Sequence, residues 1–147
     1  MATVRDLLKF KGDQVWSIGP ETSVLEALEL MSEKNVGALV VLQNGQLQGI
    51  ISERDFARSI AKIGRCLIET PVQDHMTKEV FTIGLDSSTE ECMNLMTEKR
   101  IRHLPVVVDS KLVGLISIGD VVKEVISSKE STIHILEKYI EGTDYAR

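Results

Sequence analysis

Apolar and polar positions along the chain follow two rhythms, and the whole series of rhythms occurs twice. A short apolar stretch from Val15 to Ile18 ends at a Gly-containing turn. Apolar residues then recur at Val24, Ala27, Leu28 and Met31, the i, i+3, i+4, i+7 spacing of one helix face. Ser23 stands three residues before Glu26, the spacing of a capping box that opens this helix. A continuous apolar run from Val36 to Leu42 predicts a buried strand. Asn44-Gly45 predicts a tight hairpin turn, Leu47 to Ile51 the return strand, and a second helix follows. The same order, β-α-β-β-α, restarts at Val80. Its strands are Val80 to Ile83, Leu104 to Val108 and Leu112 to Ile116, its box is Ser88 with Glu91, its helix face runs through Cys92, Met93 and Met96, and its turn is the weaker Asp109-Ser110.

The segments beginning VWSIGPETS at Val15 and VFTIGLDSS at Val80 align without a gap at a constant offset of 65. Ile18 meets Ile83, Met31 meets Met96, Gly49 meets Gly114, Ser52 meets Ser117 and Asp55 meets Asp120. The lead-in recurs loosely: VRDLL at Val4 echoes VQDHM at Val72, with three extra residues in the first copy. Such self-similarity is the mark of a duplicated structural unit.

A right-handed β-α-β crossover followed by a hairpin gives a small three-stranded sheet with both helices on one face. A unit of roughly 50 residues buries too little surface to stand alone. The two copies are therefore expected to pack sheet against sheet about a pseudo-twofold axis, an α+β fold. The expected division is 1–63 for the first unit with its lead-in, 64–79 for a linker and the second lead-in, and 80–128 for the second unit. Residues 129–147 form a C-terminal helix and tail. Ile133, Leu136 and Ile140 share a stripe there, to dock on the module or join a dimer interface.

Composition narrows the function classes. With 43% hydrophobic but only 4% aromatic residues, the core must come from valine, isoleucine and leucine. Seventeen basic against 22 acidic residues leave a formal charge of −5, which argues against nucleic acid as the main partner. No apolar run approaches the roughly 18 residues of a membrane helix, and no signal-peptide pattern opens the chain, so a cytoplasmic protein with no membrane partner is expected. Cys66 and Cys92 lack metal spacing and read as free thiols, and His75 and His134 have no ligating partners, so no metal is expected. Without a nucleophile-base pair, a P-loop or GxGxxG, the chain is read as a non-enzyme with no catalytic residues and no required cofactor.

The candidate chemistry lies where the last strand of each copy meets its helix: GIISERD from Gly49 and GLISIGD from Gly114. A serine beside free helix-start amides suits a phosphate, and an ionised aspartate one turn on can accept both hydroxyls of a ribose. Ser52 with Asp55 and Ser117 with Asp120 have a second reading, as capping boxes alone. Capping leaves unexplained the glycine three places before each serine.

The β-α-β-β-α order, the stretches NVGALVV and RIRHLPVV, and the paired ending G-h-h-S-x-x-D (h apolar) resemble a tandem CBS-domain pair, or Bateman module, in its short stand-alone form. The resemblance runs from Val4 to about Ser128. It implies an adenine-nucleotide-binding regulatory module that senses AMP, ADP, ATP or a related adenosyl compound such as NAD or S-adenosylmethionine. It further implies a homodimer and an unidentified regulated protein. By resemblance, Asp120 would hold ribose hydroxyls, Ser117 and the pair Arg102-His103 the phosphate, and Ser17 and Thr82 the base or ribose. In the first copy Gly37 and Ala38 replace Arg102 and His103. Arg54 and Arg58, on a basic stripe with Lys62 and Arg65, are the candidate substitutes, against the alternative of a solvated helix face. The competing function is a dimerisation scaffold with vestigial clefts.

Overall fold

The computed structural model describes residues 2–65 and 67–145, and within them the side chains of all but 139 and 141–145. Cys66 therefore lies outside the described residues. Strand β1 (Ser17–Ile18), helix α2 (Val24–Lys34), the hairpin β2 (Ala38–Gln43) and β3 (Gln46–Ser52), and helix α3 (Glu53–Ile63) form the first unit. Helix α4 (Thr89–Lys99), the hairpin β4 (His103–Val108) and β5 (Lys111–Ser117), and helix α5 (Ile118–Tyr145) form the second. An N-terminal helix, α1 (Val4–Lys11), and a single 3-10 turn at Val72–Asp74 are the two lead-ins. In the first unit β1 runs parallel to β2, and β2 pairs antiparallel with β3.

The duplication is visible in detail. Ser23 and Ser88 accept the Glu26 and Glu91 amides, both at 3.1 Å, and so open α2 and α4. Asn35 and Arg100 close those helices in the left-handed conformation. Both hairpins carry a register shift at matching places, Val41/Leu42 and Val106/Val107. Both turn through two residues of positive φ, Asn44-Gly45 and Asp109-Ser110. The Glu53 amide donates to Gly37 O at 3.1 Å, and the Ile118 amide to Arg102 O at 2.8 Å, tying each last helix to the start of its unit's central strand.

The first strands are shorter than their apolar runs predict. The second unit keeps only a bridge, Ile83 to Val106, made by the Ile83 amide on Pro105 O and the Val107 amide on Ile83 O. Just upstream, side chains hold the segment instead of ladder bonds. The Lys34 ammonium sits 4.4 Å from the Trp16 ring centroid and Lys99 5.1 Å from that of Phe81.

The lead-ins exchange places relative to chain order. Helix α1 packs on the second unit: the Val4 and Arg5 amides donate to Ser87 O and Leu85 O, and Val4, Leu7 and Leu8 join a core with Cys92, Met96, Leu104, Ile116 and Val121. The segment around Val72 packs on the first unit, its amide donating to Thr22 O and its side chain entering a core with Val24, Met31, Leu39, Ile51 and Phe56. Packing thus crosses the division by sequence, with each lead-in completing the core of the other unit. Strand β3 lies against β5, so the two sheets face one another.

This exchange accounts for the repeated glycines. Neither Gly49 nor Gly114 has positive φ, so the requirement is for space. A Cβ on Gly49 would stand 2.7 Å from Thr77 O and 2.8 Å from Met76 Sδ, and one on Gly114 would stand 2.8 Å from the Leu8 methyls. The lead-ins lie directly on the backbone of β3 and β5.

The C-terminal segment is one 28-residue helix, α5, continuous from the second unit. The expected separate tail helix does not dock on the module: Ile126, Ile133, Leu136 and Ile140 are all exposed. Among the described residues no helix is long and apolar enough to cross a membrane.

Gly49→Ala should cost about 2 kcal/mol in urea unfolding, because a carbonyl must shift, and Gly114→Ala about 1 kcal/mol, because Leu8 can rotate. Equal costs would refute this reading of the contacts. Ser110, at φ 66, should be relieved by Ser110→Gly, raising stability by about 0.5 to 1 kcal/mol and the melting temperature by about 2–4 °C in a thermal melt.

Candidate functional site

Facing the sheets brings the end of β3 and the start of α3 opposite the junction of α4 and β4. Between them lies a cleft of about 200 Å³. The first unit contributes Gly37, Ile50, Ser52, Glu53, Arg54, Asp55 and Arg58, the second contributes Arg100, Ile101, Arg102 and His103, and Thr77 comes from the lead-in. Four guanidinium groups against the two carboxylates of Glu53 and Asp55 make the cleft electropositive in a chain whose formal charge is −5. An anion is the natural guest.

The Ser52–Asp55 motif is a full capping box as well as a cleft wall. Asp55 Oδ2 accepts the Ser52 amide at 2.8 Å and the Ser52 hydroxyl at 3.0 Å, while Ser52 Oγ accepts the Asp55 amide at 3.3 Å. Among the described residues Asp55 Oδ1 accepts only the Thr77 hydroxyl, at 3.1 Å, and keeps acceptor capacity. Capping thus engages Oδ2 and leaves Oδ1 able to take a further donor from the cleft. Arg54 reaches across the units and donates to Arg100 O at 3.2 Å, capping the C-terminus of α4. Arg58 lines the cleft, whereas Lys62 and Arg65 lie outside it and exposed. The basic stripe therefore divides into two cleft residues and a solvated face.

Of the residues singled out in the sequence, Gly37, Ser52, Arg54, Asp55, Arg58, Arg102 and His103 come together here. The grouping differs from expectation, because Arg102 and His103 face the Ser52–Asp55 motif of the other unit. Ser117 and Asp120 do not line this cleft. They form their own capping box at the start of α5, with the Ser117 amide donating to Asp120 Oδ2 at 2.7 Å. Ser17 and Thr82 are exposed and also outside it. Gly37 is not sterically required, since a Cβ there would meet nothing nearer than Glu53 Oε1 at 3.8 Å, an ordinary contact.

Asp120 is instead occupied by Lys11 of α1, whose ammonium donates to Oδ2 at 2.6 Å and to Leu115 O at 2.7 Å. Burial alone would raise the Asp120 carboxyl, but the hydrogen bonds from Lys11 and Ser117 and the Lys11 charge outweigh it and hold the group below its ordinary range. His103 pairs with Ser117 across the β4–β5 hairpin. Burial first, then the positive charge of Lys11, lowers its pKa; Asp120 opposes the shift and Arg102 adds to it, so the ring is neutral near pH 7.

Sequence reasoning missed Thr77, Glu53, Arg100 and Lys11. Thr77 and Lys11 arrive by the exchange of lead-ins, which no spacing in the chain reports. Two bland readings gain a structural account. Cys92 is a buried core residue whose thiol burial, with Glu91 nearby, pushes up to about 11. His75 Nε2 lies 2.7 Å from Thr70 Oγ1, a local bond in the lead-in.

Comparison with known proteins gives the two units a family. The family model for the CBS domain matches residues 4–62 and 72–127. The CBS domain-containing protein CBSX3, mitochondrial, of Arabidopsis thaliana is 39% identical over 150 residues, spanning 95% of this chain and 72% of that protein. A solved CBS-domain protein from Burkholderia ambifaria is 43% identical with a TM-score of 0.82, over 86% of this chain and 95% of that one. A CBS domain pair solved in complex with 5′-methylthioadenosine and S-adenosyl-L-methionine shares the fold, with a TM-score of 0.76 at 24% identity over 88% of this chain and 98% of that one. With both copies matched and this degree of likeness along nearly its whole length, the chain belongs to the CBS-domain family, as a tandem pair.

Proposed function

We propose that the chain is a regulatory module that binds an adenine nucleotide or related adenosyl compound in the Ser52–Arg102 cleft and passes a change of shape to a partner protein. The observation that carries this reading is that one electropositive cleft is built from both units. Arg102, Arg58 and a released Arg54 would hold phosphate, and the open oxygen of Asp55 a ribose hydroxyl. Ile50 and Ile101 would flank the base. AMP, ADP, ATP and NAD offer this combination; S-adenosylmethionine, which has no phosphate, would set its methionine carboxylate against the arginines. The fold accommodates adenosyl compounds in the CBS pair solved with two of them.

A ligand held by both units shifts their relative arrangement by its differential affinity for two states, which is how binding becomes a signal. Arg54 is the natural link, since taking it onto a phosphate withdraws it from the C-terminus of α4. Binding without turnover, in a cytoplasmic setting, belongs to the same reading. The exposed apolar residues of α5 favour a second role, assembly into a homodimer. As an alternative to sensing, that scaffold would leave the cleft empty.

A thermal-shift panel of these five compounds separates sensor from scaffold. Saturation at about 100 times the dissociation constant should add about 2.7 kcal/mol of stability, and no shift with any of them would defeat the sensor. For AMP, Arg102→Ala should weaken binding about tenfold and flatten its salt dependence, as read by calorimetry. An anion beside His103 favours the imidazolium, so binding takes up a proton and affinity should strengthen from about pH 8 to about pH 6. Because the phosphate itself titrates in that range, the test is the difference from His103→Gln: parallel pH profiles would remove His103 from the site.

A further inference from the structure

The two Ser-x-x-Asp motifs are related by the repeat, yet their aspartates meet opposite chemistry. Asp55 receives a neutral hydroxyl from Thr77 at 3.1 Å and faces an open cleft. Asp120 receives an ammonium at 2.6 Å, with the lysine side chain 34% and the aspartate 21% exposed. The cause is in the lead-ins. The first is three residues longer than the second, and α1 runs for eight residues where the second lead-in makes only a 3-10 turn over Val72–Asp74. Lys11 stands on that extra length, next to Gly12, whose φ of 96 ends the helix.

His103, which pairs with Ser117 across the β4–β5 hairpin, lies close enough to Asp120 and Lys11 for both charges to act on its ring. Lys11 directs two of its donors inward, to a carboxylate and to the backbone carbonyl of Leu115, and so is committed to the protein.

From this contrast we infer that Lys11 is a built-in occupant of the second of two quasi-equivalent sites. The resting chain takes one adenosyl ligand, in the Asp55 cleft, and gains a second site at Asp120 only when α1 withdraws the ammonium. The ligand class rests on the function proposed above; the plug itself rests on the Lys11 contacts. Any partner that draws on α1 would then change the number of ligands bound.

Native mass spectrometry and calorimetry with AMP and with ATP as probes test this on the full chain. Wild type should bind one equivalent, Lys11→Met one more than wild type, and Lys11→Met with Asp120→Asn the same number as wild type. Lys11→Gln, which keeps a donor for Leu115 O, is the second variant should the methionine fail to fold by circular dichroism. The increment between variant and wild type judges the plug: no gain, or a loss, in a folded variant overturns it. Wild type binding two equivalents also overturns it while leaving the sensor intact. Wild type binding none sinks the sensor reading instead, and the increment still decides the plug.

Discussion

Neither unit carries enough sheet and helix to bury its own apolar side chains, and the chain resolves this by lending each unit a segment from elsewhere. Val4, Leu7 and Leu8 complete the second core, Val72 the first, and the two sheets cover one another. Both loans depend on the lead-ins lying directly on strand backbone, which is possible only where β3 and β5 have no side chain, at Gly49 and Gly114. Unfolding one unit would expose the core of the other, so the pair should behave as a single cooperative body.

The same packing creates the chemistry. Sheet-to-sheet contact sets the β3–α3 junction of one unit against the α4–β4 junction of the other, and charges that are far apart in sequence become neighbours. The electropositive cleft exists in an acidic chain because Arg54 and Arg58 from one copy face Arg100 and Arg102 from the other. A duplicated sequence would ordinarily set its two aspartates in equal surroundings. The longer first lead-in makes them unequal, since Asp55 faces an open cleft while Asp120 is paired with Lys11.

Much of this was legible in the chain. The helix stripes, the Asn44-Gly45 turn and the serine caps report themselves through local spacing, and the repeat implied sheet packing because one copy is too small alone. The first strands were overestimated, since an apolar run such as Val80 to Ile83 reads alike whether ladder bonds or side-chain packing holds it. The capping reading of Ser52–Asp55 holds in full, and it occupies Oδ2 while Oδ1 meets only the Thr77 hydroxyl among the described residues.

By itself, then, the sequence determined the elements, their duplication, the fold class and the residue types of the candidate site, all carried by short-range periodicity and a constant offset. Only the tertiary structure decided which copies of those residues share a cleft, that α1 belongs to the second core, and that Asp120 is met by Lys11. Those outcomes depend on which non-adjacent surfaces bury one another, and a contact between residues about a hundred positions apart leaves no trace in the spacing of either.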